Sequence, residues 1–312
     1  MVELHVHLDG AVRPGTLLDL AIDDVDAIER IAYELCETQR NNNVAYFEAR
    51  YCPHLLCHSP DDTEVNFTKS ERKHQVTPED VVLAVNRGLS RGQKDFGVWA
   101  RTILVGFTGK LEIFKDLLNF AIKYREQGIV GIDIAQIPSS EFVGEIPQSA
   151  SEIQIFQTAK ELGIHRTVHA GEASGPQSVK EAIELLHAER IGHGYHVVDD
   201  NEIYETARSK GVHFETCPLS SYLTGSVTSD WSTHPVTRFM KDNVNFGIST
   251  DDPTVTGNWM QDEISLVRSN LHWSESQIFQ LQMNAVKSSF LEEHEKIKLK
   301  QIITESFEQE LK

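Results

Sequence analysis

Short runs of apolar and β-branched residues recur along the chain, and longer stretches with helical spacing separate them. Eight such runs predict strands over Glu3–Leu8, Val44–Tyr51, Val98–Gly106, Ile129–Ala135, His165–His169, Arg190–His193, Val212–Cys217 and Asn245–Thr250. Apolar positions three and four apart predict helices over Val25–Gln39, Pro78–Lys94, Leu111–Glu126, Glu152–Leu162, Val179–His187, Glu202–Ser209 and Val236–Lys241. Thr77-Pro78-Glu79-Asp80 gives one of these a start signal, a capping threonine followed by a proline whose fixed φ suits the first helical position. Strand and helix alternate without a break, which predicts an α/β fold: a parallel sheet closed into a single (β/α)8 TIM-type barrel. An open doubly wound sheet would call for a glycine-rich phosphate loop after the first strand, and His5-Val6-His7-Leu8-Asp9-Gly10 is not one. Two extra C-terminal helices, over Ser274–Ala285 and Leu291–Leu311, follow the eighth strand. The second carries an apolar stripe of Ile297, Ile302, Ile303 and Phe307 and is expected to pack on the barrel. No repeat or linker divides residues 1–312, so one domain is expected, with the polar stretch Ser59 to Gln75 as a surface loop.

Composition narrows the partners. The chain of 312 residues is 40% hydrophobic, enough for a large core, and its 29 basic against 47 acidic residues give a net charge of −18. That excess repels phosphate backbones and anionic membranes, so no nucleic-acid partner is expected, whereas a neutral small molecule is indifferent to it. The four cysteines, Cys36, Cys52, Cys57 and Cys217, form no C-x-x-C pair and are too sparse for a disulfide framework. No charged start with an apolar run precedes Glu3, and no stretch is apolar enough to cross a bilayer. A cytoplasmic protein with reduced thiols and no membrane insertion is expected.

Chemistry gathers at the strand ends. In an extended segment alternate side chains share a face, so His5 and His7 project together, Asp9 continues that face, and Gly10 allows a sharp turn or a close approach. In a β/α barrel the carboxyl ends of the strands form the active rim. There strand one brings His5 and His7, strand five His169-Ala170-Gly171-Glu172, strand six Gly192-His193-Gly194, strand seven Thr216-Cys217-Pro218-Leu219-Ser220-Ser221, and strand eight Ser249-Thr250-Asp251-Asp252-Pro253. Three imidazoles, His5, His7 and His169, and one carboxylate, Asp251, form a donor set that suits a catalytic Zn²⁺, with a position left for water whose pKa the metal lowers. His193 can orient that water and take its proton, Glu172 is a proton donor if its pocket raises its pKa, and Asp252 can hydrogen-bond a substrate.

The motifs His5-Val6-His7-Leu8-Asp9-Gly10, Thr167-Val168-His169-Ala170-Gly171-Glu172, Gly192-His193-Gly194-Tyr195-His196, Cys217-Pro218-Leu219-Ser220-Ser221-Tyr222 and Ser249-Thr250-Asp251-Asp252-Pro253, in this order, resemble those of the adenosine deaminases of the amidohydrolase superfamily. The similarity also runs through Glu48-Ala49-Arg50-Tyr51-Cys52-Pro53-His54 and Lys287-Ser288-Ser289-Phe290-Leu291. It implies hydrolytic deamination of adenosine, and of deoxyadenosine, to inosine and ammonia with one zinc ion held by His5, His7, His169 and Asp251. It further implies attack at purine C6 with His193 as base and Glu172 protonating N1. Asp252 would sit at N7, Asp9 at the ribose 5′-hydroxyl, and His7 in contact with substrate. The cysteine-rich signature of the zinc deaminases that act on flipped bases is absent.

Three departures from that pattern lie around the rim. The first strand starts almost at Met1, and the helical insertion that forms a lid in the family is missing between Leu17-Leu18-Asp19-Leu20-Ala21 and the helix near Asp24. At the end of strand four, where the family has a glycine whose N–H binds purine N3, the chain reads Asp133-Ile134-Ala135-Gln136, so either Gln136 supplies its own backbone N–H or that contact is lost. Two alternatives stand beside adenosine deamination. One is a lid-less protein that binds a purine or a partner without turnover; the other is deamination of a 6-substituted purine nucleotide, for which Arg13 is the nearby basic candidate.

Overall fold

A computed structural model describes residues 1–17, 24–57, 76–135 and 149–310. Eight strands form one sheet in chain order: β1 (Val2–His7), β2 (Tyr46–Tyr51), β3 (Trp99–Phe107), β4 (Ile129–Ala135), β5 (His165–Ala170), β6 (Arg190–His193), β7 (His213–Thr216) and β8 (Phe246–Ile248). Each matches its sequence expectation to within two residues at either end. All neighbouring pairs are parallel, and a parallel bridge between Val6 and Asp251 brings the exit of β8 back to β1. The His7 N–H donates to the Asp251 carbonyl at 2.8 Å and the Asp251 N–H to the His5 carbonyl at 3.0 Å. The sheet therefore closes as the expected (β/α)8 barrel.

The predicted helices form with small shifts at their ends. Thr77 caps Pro78–Phe96 with a reciprocal capping box to Asp80, Asp24 caps Val25–Asn41, and Ser149 with Glu152 caps Ala150–Glu161. The helix expected to reach Glu126 stops at Lys123 and gives way to a short 3-10 turn over Arg125–Gln127. Four helices escaped the sequence pattern: Pro14–Leu17, Pro218–Thr224, Pro253–Thr256 and Met260–Leu271. The first three are too short to show a period. The fourth buries Met260, Ile264 and Val267, a four-and-three spacing that marks it in the sequence.

The apolar core fills the space between the outer faces of the strands and the helices, with Phe47, Ala49 and Leu104 packed against residues such as Ile31, Val85 and Phe114. A smaller cluster joins Val2, Leu4 and Tyr46 to Val286, Leu299 and Ile303 of the C-terminal helices Glu275–Ser288 and Glu293–Glu310. These helices do pack on the barrel, but the buried stripe differs from the expected one. Leu299 and Ile303 are buried and Phe307 stacks on Phe279, whereas Ile297 and Ile302 are exposed. Positions 299, 303 and 307 repeat every four residues, which keeps them on one helix face; 297 and 302 fall off it.

The barrel interior is polar. Arg50 on β2 reaches Glu215 on β7, a contact that must pass through the barrel, and Glu48, Asp133, Thr167 and Arg190 join the same buried network. A one-residue register slip between Glu3 and Val6 inserts a bulge in β1. It separates Glu3, whose carboxyl bonds Gln39 and Thr250, from the inward face that His5 and His7 share.

Candidate metal centre and active site

Five predicted residues converge at the carboxyl end of the barrel. The His5 ring lies 5.3 Å from that of His7, 4.8 Å from that of His169 and 4.7 Å from that of His193. Asp251 faces three of them: its Oδ1 is 3.1 Å from His5 Nε2 and 3.4 Å from His7 Nε2, and its Oδ2 is 3.8 Å from His193 Nε2. The donor atoms of His5, His7 and Asp251 fall within 4.8 Å of one another, and so do those of His5, His169 and His193. Ser220, in the short helix Pro218–Thr224 after β7, donates to Asp251 Oδ2 at 2.7 Å and fixes the carboxylate.

Two buried carboxylates aim two of the rings. Glu215 lies 2.8 Å from His5 Nδ1 and Asp133 3.0 Å from His169 Nδ1. Burial opposes the ionisation of Glu215, but Arg50 and Arg190 outweigh it and hold the carboxyl well below its ordinary range. Burial likewise opposes that of Asp133, yet His169 and Arg50 hold it at about 2. An ionised carboxylate only accepts, so each facing Nδ1 carries a proton, which in the neutral ring leaves the Nε2 lone pair toward the centre. Among the described residues His5 Nε2 is buried without a hydrogen-bond partner. A lone pair facing a carboxylate oxygen at 3.1 Å is repulsive unless a cation stands between them, so the residues fit a bound metal ion. Burial, helped by His5 and His169, holds His7 well below the ordinary imidazole range against the pull of Asp251, which suits a neutral ligand.

The proton-handling groups stand beside this cluster. His193 Nε2 is 3.6 Å from Glu172 Oε2, and Glu172 is partly exposed at the rim. His193 takes the left-handed φ of 66°, and Gly192 beside it leaves room for the His5 ring, which a Cβ there would approach at 3.1 Å. The Asp252 side chain packs on Gly10, so the close approach expected at Gly10 is made by this carboxyl. Burial, then the charges of Asp251 and Asp9, push Asp252 up to about 7. Asp9 opens to solvent in the mouth of the barrel, and its surroundings and Asp251 raise its carboxyl as well.

Some calls fall elsewhere. Gln136, the Ser59 to Gln75 loop and residues 18–23, where the lid insertion was found wanting, lie outside the described residues. Arg13 does not face the mouth freely: its guanidinium bonds Thr38, the Glu34 carbonyl and Glu37 on the helix Val25–Asn41. Asp133, Glu215, Arg50 and Ser220 were missed as site residues. A signal existed for the first two, since a charge in the middle of an otherwise apolar parallel strand, as in Ile129–Ala135, has only the barrel interior to face.

The family model for adenosine deaminase matches residues 22–306. The chain is 35% identical to the adenosine deaminase of Bos taurus over 98% of its own length and 94% of the relative's, and 31% identical to that of Vibrio vulnificus over 93% of each. The Bos taurus alignment runs to 347 positions, more than this chain of 312 residues, so that relative carries residues absent here. Among solved structures, an adenine deaminase from Arthrobacter aurescens superposes with a TM-score of 0.83 at 21% identity over 98% of both chains. An Arabidopsis N6-mAMP deaminase gives 0.82 at 23% over 97% of both. A zinc-bound amidohydrolase from Burkholderia ambifaria gives 0.84 at 22% over 99% of this chain and 90% of the other. At such identities these structures establish the shared fold, while the family model and the full-length relatives establish descent. The chain belongs to the adenosine deaminase family of hydrolytic deaminases.

Proposed function

We propose that the protein hydrolyses adenosine, and deoxyadenosine, to inosine and ammonia with one zinc ion held by His5, His7, His169 and Asp251. The observation that carries this is the convergence of those four side chains with His193 within a few ångströms, the two outer carboxylates leaving the Nε2 atoms of His5 and His169 unprotonated toward the centre. When bound there, zinc supplies the charge that lowers the pKa of a coordinated water toward neutrality. His193 takes the water's proton as the oxygen bonds to purine C6, and Glu172 gives a proton to N1, so that the ring nitrogen holds the electron pair displaced from C6. The oxygen's remaining proton then passes to Glu172 as C6=O forms and the C6–N6 bond breaks; the amine leaves as ammonia with the proton His193 received, and N1 keeps the one from Glu172. Asp252, its carboxyl raised toward the neutral form, donates a hydrogen bond to N7, an acceptor-only atom. Asp9 accepts from the ribose 5′-hydroxyl, His7 borders the substrate, and Gln136 serves N3.

The nucleoside is favoured over the nucleotide. A 5′-phosphate needs a free cation near Asp9, and Arg13 is already held by Thr38, Glu34 and Glu37. The Arabidopsis neighbours solved with IMP and GMP are 22% identical to this chain, and their ligands are their own. The test follows the loss of adenine absorbance on zinc-loaded protein with adenosine and with adenosine 5′-monophosphate. Adenosine is expected to turn over, the activity to vanish with a chelator, and Glu172→Gln to lower kcat by about 10²–10⁴-fold with zinc retained. A folded, zinc-loaded chain that turns over neither substrate would leave the purine-binding alternative; consumption of the monophosphate alone would make it a nucleotide deaminase.

A further inference from the structure

Glu48-Ala49-Arg50-Tyr51 contributes no residue to the proposed reaction, yet Arg50 is fully buried at the floor of the site. Its Nη1 donates to Asp133 Oδ2 at 2.6 Å, and its Nη2 donates to Glu215 Oε2 at 2.5 Å and to the Leu4 carbonyl at 2.9 Å. Those two carboxylates are the ones that face His169 Nδ1 on β5 and His5 Nδ1 on β1. A planar guanidinium with both ends occupied fixes the directions of its two acceptors relative to each other. We infer that Arg50 is a positioning residue for the metal centre, one guanidinium setting the tautomer and aim of two ligand histidines at once through Asp133 and Glu215. This rests on the proposal that His5 and His169 are zinc ligands.

The alternative is that Arg50 merely balances buried charge. Arg190, which donates to Glu215 Oε1 at 2.6 Å and pairs with Glu48, already does some of that. Charge alone does not hold a tautomer. A carboxylate released from its fork can rotate away from Nδ1, and the ring is then free to turn or to carry its proton on either nitrogen. Arg50 prevents this at both rings, because each of its Nη groups is committed to one carboxylate.

Lysine separates the two roles, since it keeps the positive charge and loses the fork. Zinc affinity of Arg50→Lys, measured by competition with a fluorescent chelator, is expected to fall by about 10–100-fold, the usual effect of removing an outer-shell partner. In the metal-free variant the ring ¹⁵N signals of both His5 and His169 should move toward a mixture of tautomers. Charge balance alone predicts unchanged zinc affinity and unchanged rings. A folded Arg50→Lys protein with wild-type affinity, or with only one ring disturbed, overturns the inference; a wild-type protein that binds no zinc overturns the metal proposal instead. Should the variant not fold, the metal-free wild type decides. Expected there are Nδ1-protonated His5 and His169 and separate, slowly exchanging Nη signals from Arg50. An Nε2-protonated ring or averaged Nη signals would overturn it.

Discussion

Replacing Gly10 by alanine tests the substrate-facing carboxylate directly. A Cβ on Gly10 would lie 1.8 Å from Asp252 Oδ1, 2.6 Å from its Cγ and 2.7 Å from its Cβ. Rotation about χ1 can relieve the first two contacts, but the Asp252 Cβ is fixed by its backbone. To restore ordinary contact the backbone of Asp252 must retreat by roughly 0.7 Å, and the carboxyl must swing to a new position. Alanine costs little conformationally, because Gly10 is not among the residues with positive φ. The expected stability loss is therefore that of modest overpacking, about 1–3 kcal/mol. Displacing a positioning group by an ångström costs about 10²-fold in rate, so kcat/KM for adenosine should fall by roughly that factor. Initial rates from adenine absorbance, zinc content per chain and far-ultraviolet circular dichroism together provide the assay. A folded, zinc-loaded Gly10→Ala protein with kcat/KM within about threefold of wild type would refute the role given to Asp252.

Two further outcomes follow from the ionisable groups. Dialysis against a chelator should lower Tm as well as abolish activity, and free Zn²⁺ at about 100 times its Kd should restore roughly 2.7 kcal/mol of stability; a Tm indifferent to zinc would contradict the ligand set. His234 is buried, accepts from the Val236 N–H at 3.2 Å and stacks on Trp231, and burial holds its pKa at about 4. Its folded pKa lies below that of the unfolded chain, so the neutral ring costs nothing above pH 6.5, and stability falls as pH drops from there toward 4. At pH 5 the loss is roughly 2 kcal/mol. Urea unfolding at pH 7 and pH 5 should show His234→Asn losing less stability than wild type by about that amount, and equal losses would show that the ring does not titrate in this window.

The parts of the site legible in the sequence are those written as local patterns. His5 and His7 share a face because extended chain repeats every two residues, and Glu172, His193, Asp251 and Asp252 stand out because hydrophobic packing gives no reason for charge at strand ends. The barrel was legible for the same reason, since each strand is a short apolar run bounded by turn residues. What local pattern does not carry is pairing across the barrel. Arg50 meets Glu215 from a position 165 residues away, and nothing near Arg50 names its partner. The bulge in β1 is equally silent, because it exists only as a slip against β2. The expected stripe on the last helix erred through counting Ile297 and Ile302 by hydrophobicity, where the barrel selects Leu299, Ile303 and Phe307 by angle.

Asp251 links closure of the fold to the chemistry. It sits just beyond β8 with φ of 67°, a left-handed backbone that a non-glycine residue adopts at a cost of order 1 kcal/mol or more. Its N–H bonds the His5 carbonyl and its carbonyl accepts from the His7 N–H, so three of the four proposed ligands are joined through backbone hydrogen bonds at the seam of the barrel. Ser220 then holds the side chain from the helix Pro218–Thr224. Closure of the sheet thus brings three of the four proposed ligands together. The backbone hydrogen bonds of that seam run between β1 and Asp251. If the proposed function holds, the lack of residues that the Bos taurus relative carries is expected to admit water to a bound nucleoside, raising KM and lowering kcat together, with the seam that joins His5, His7 and Asp251 unchanged.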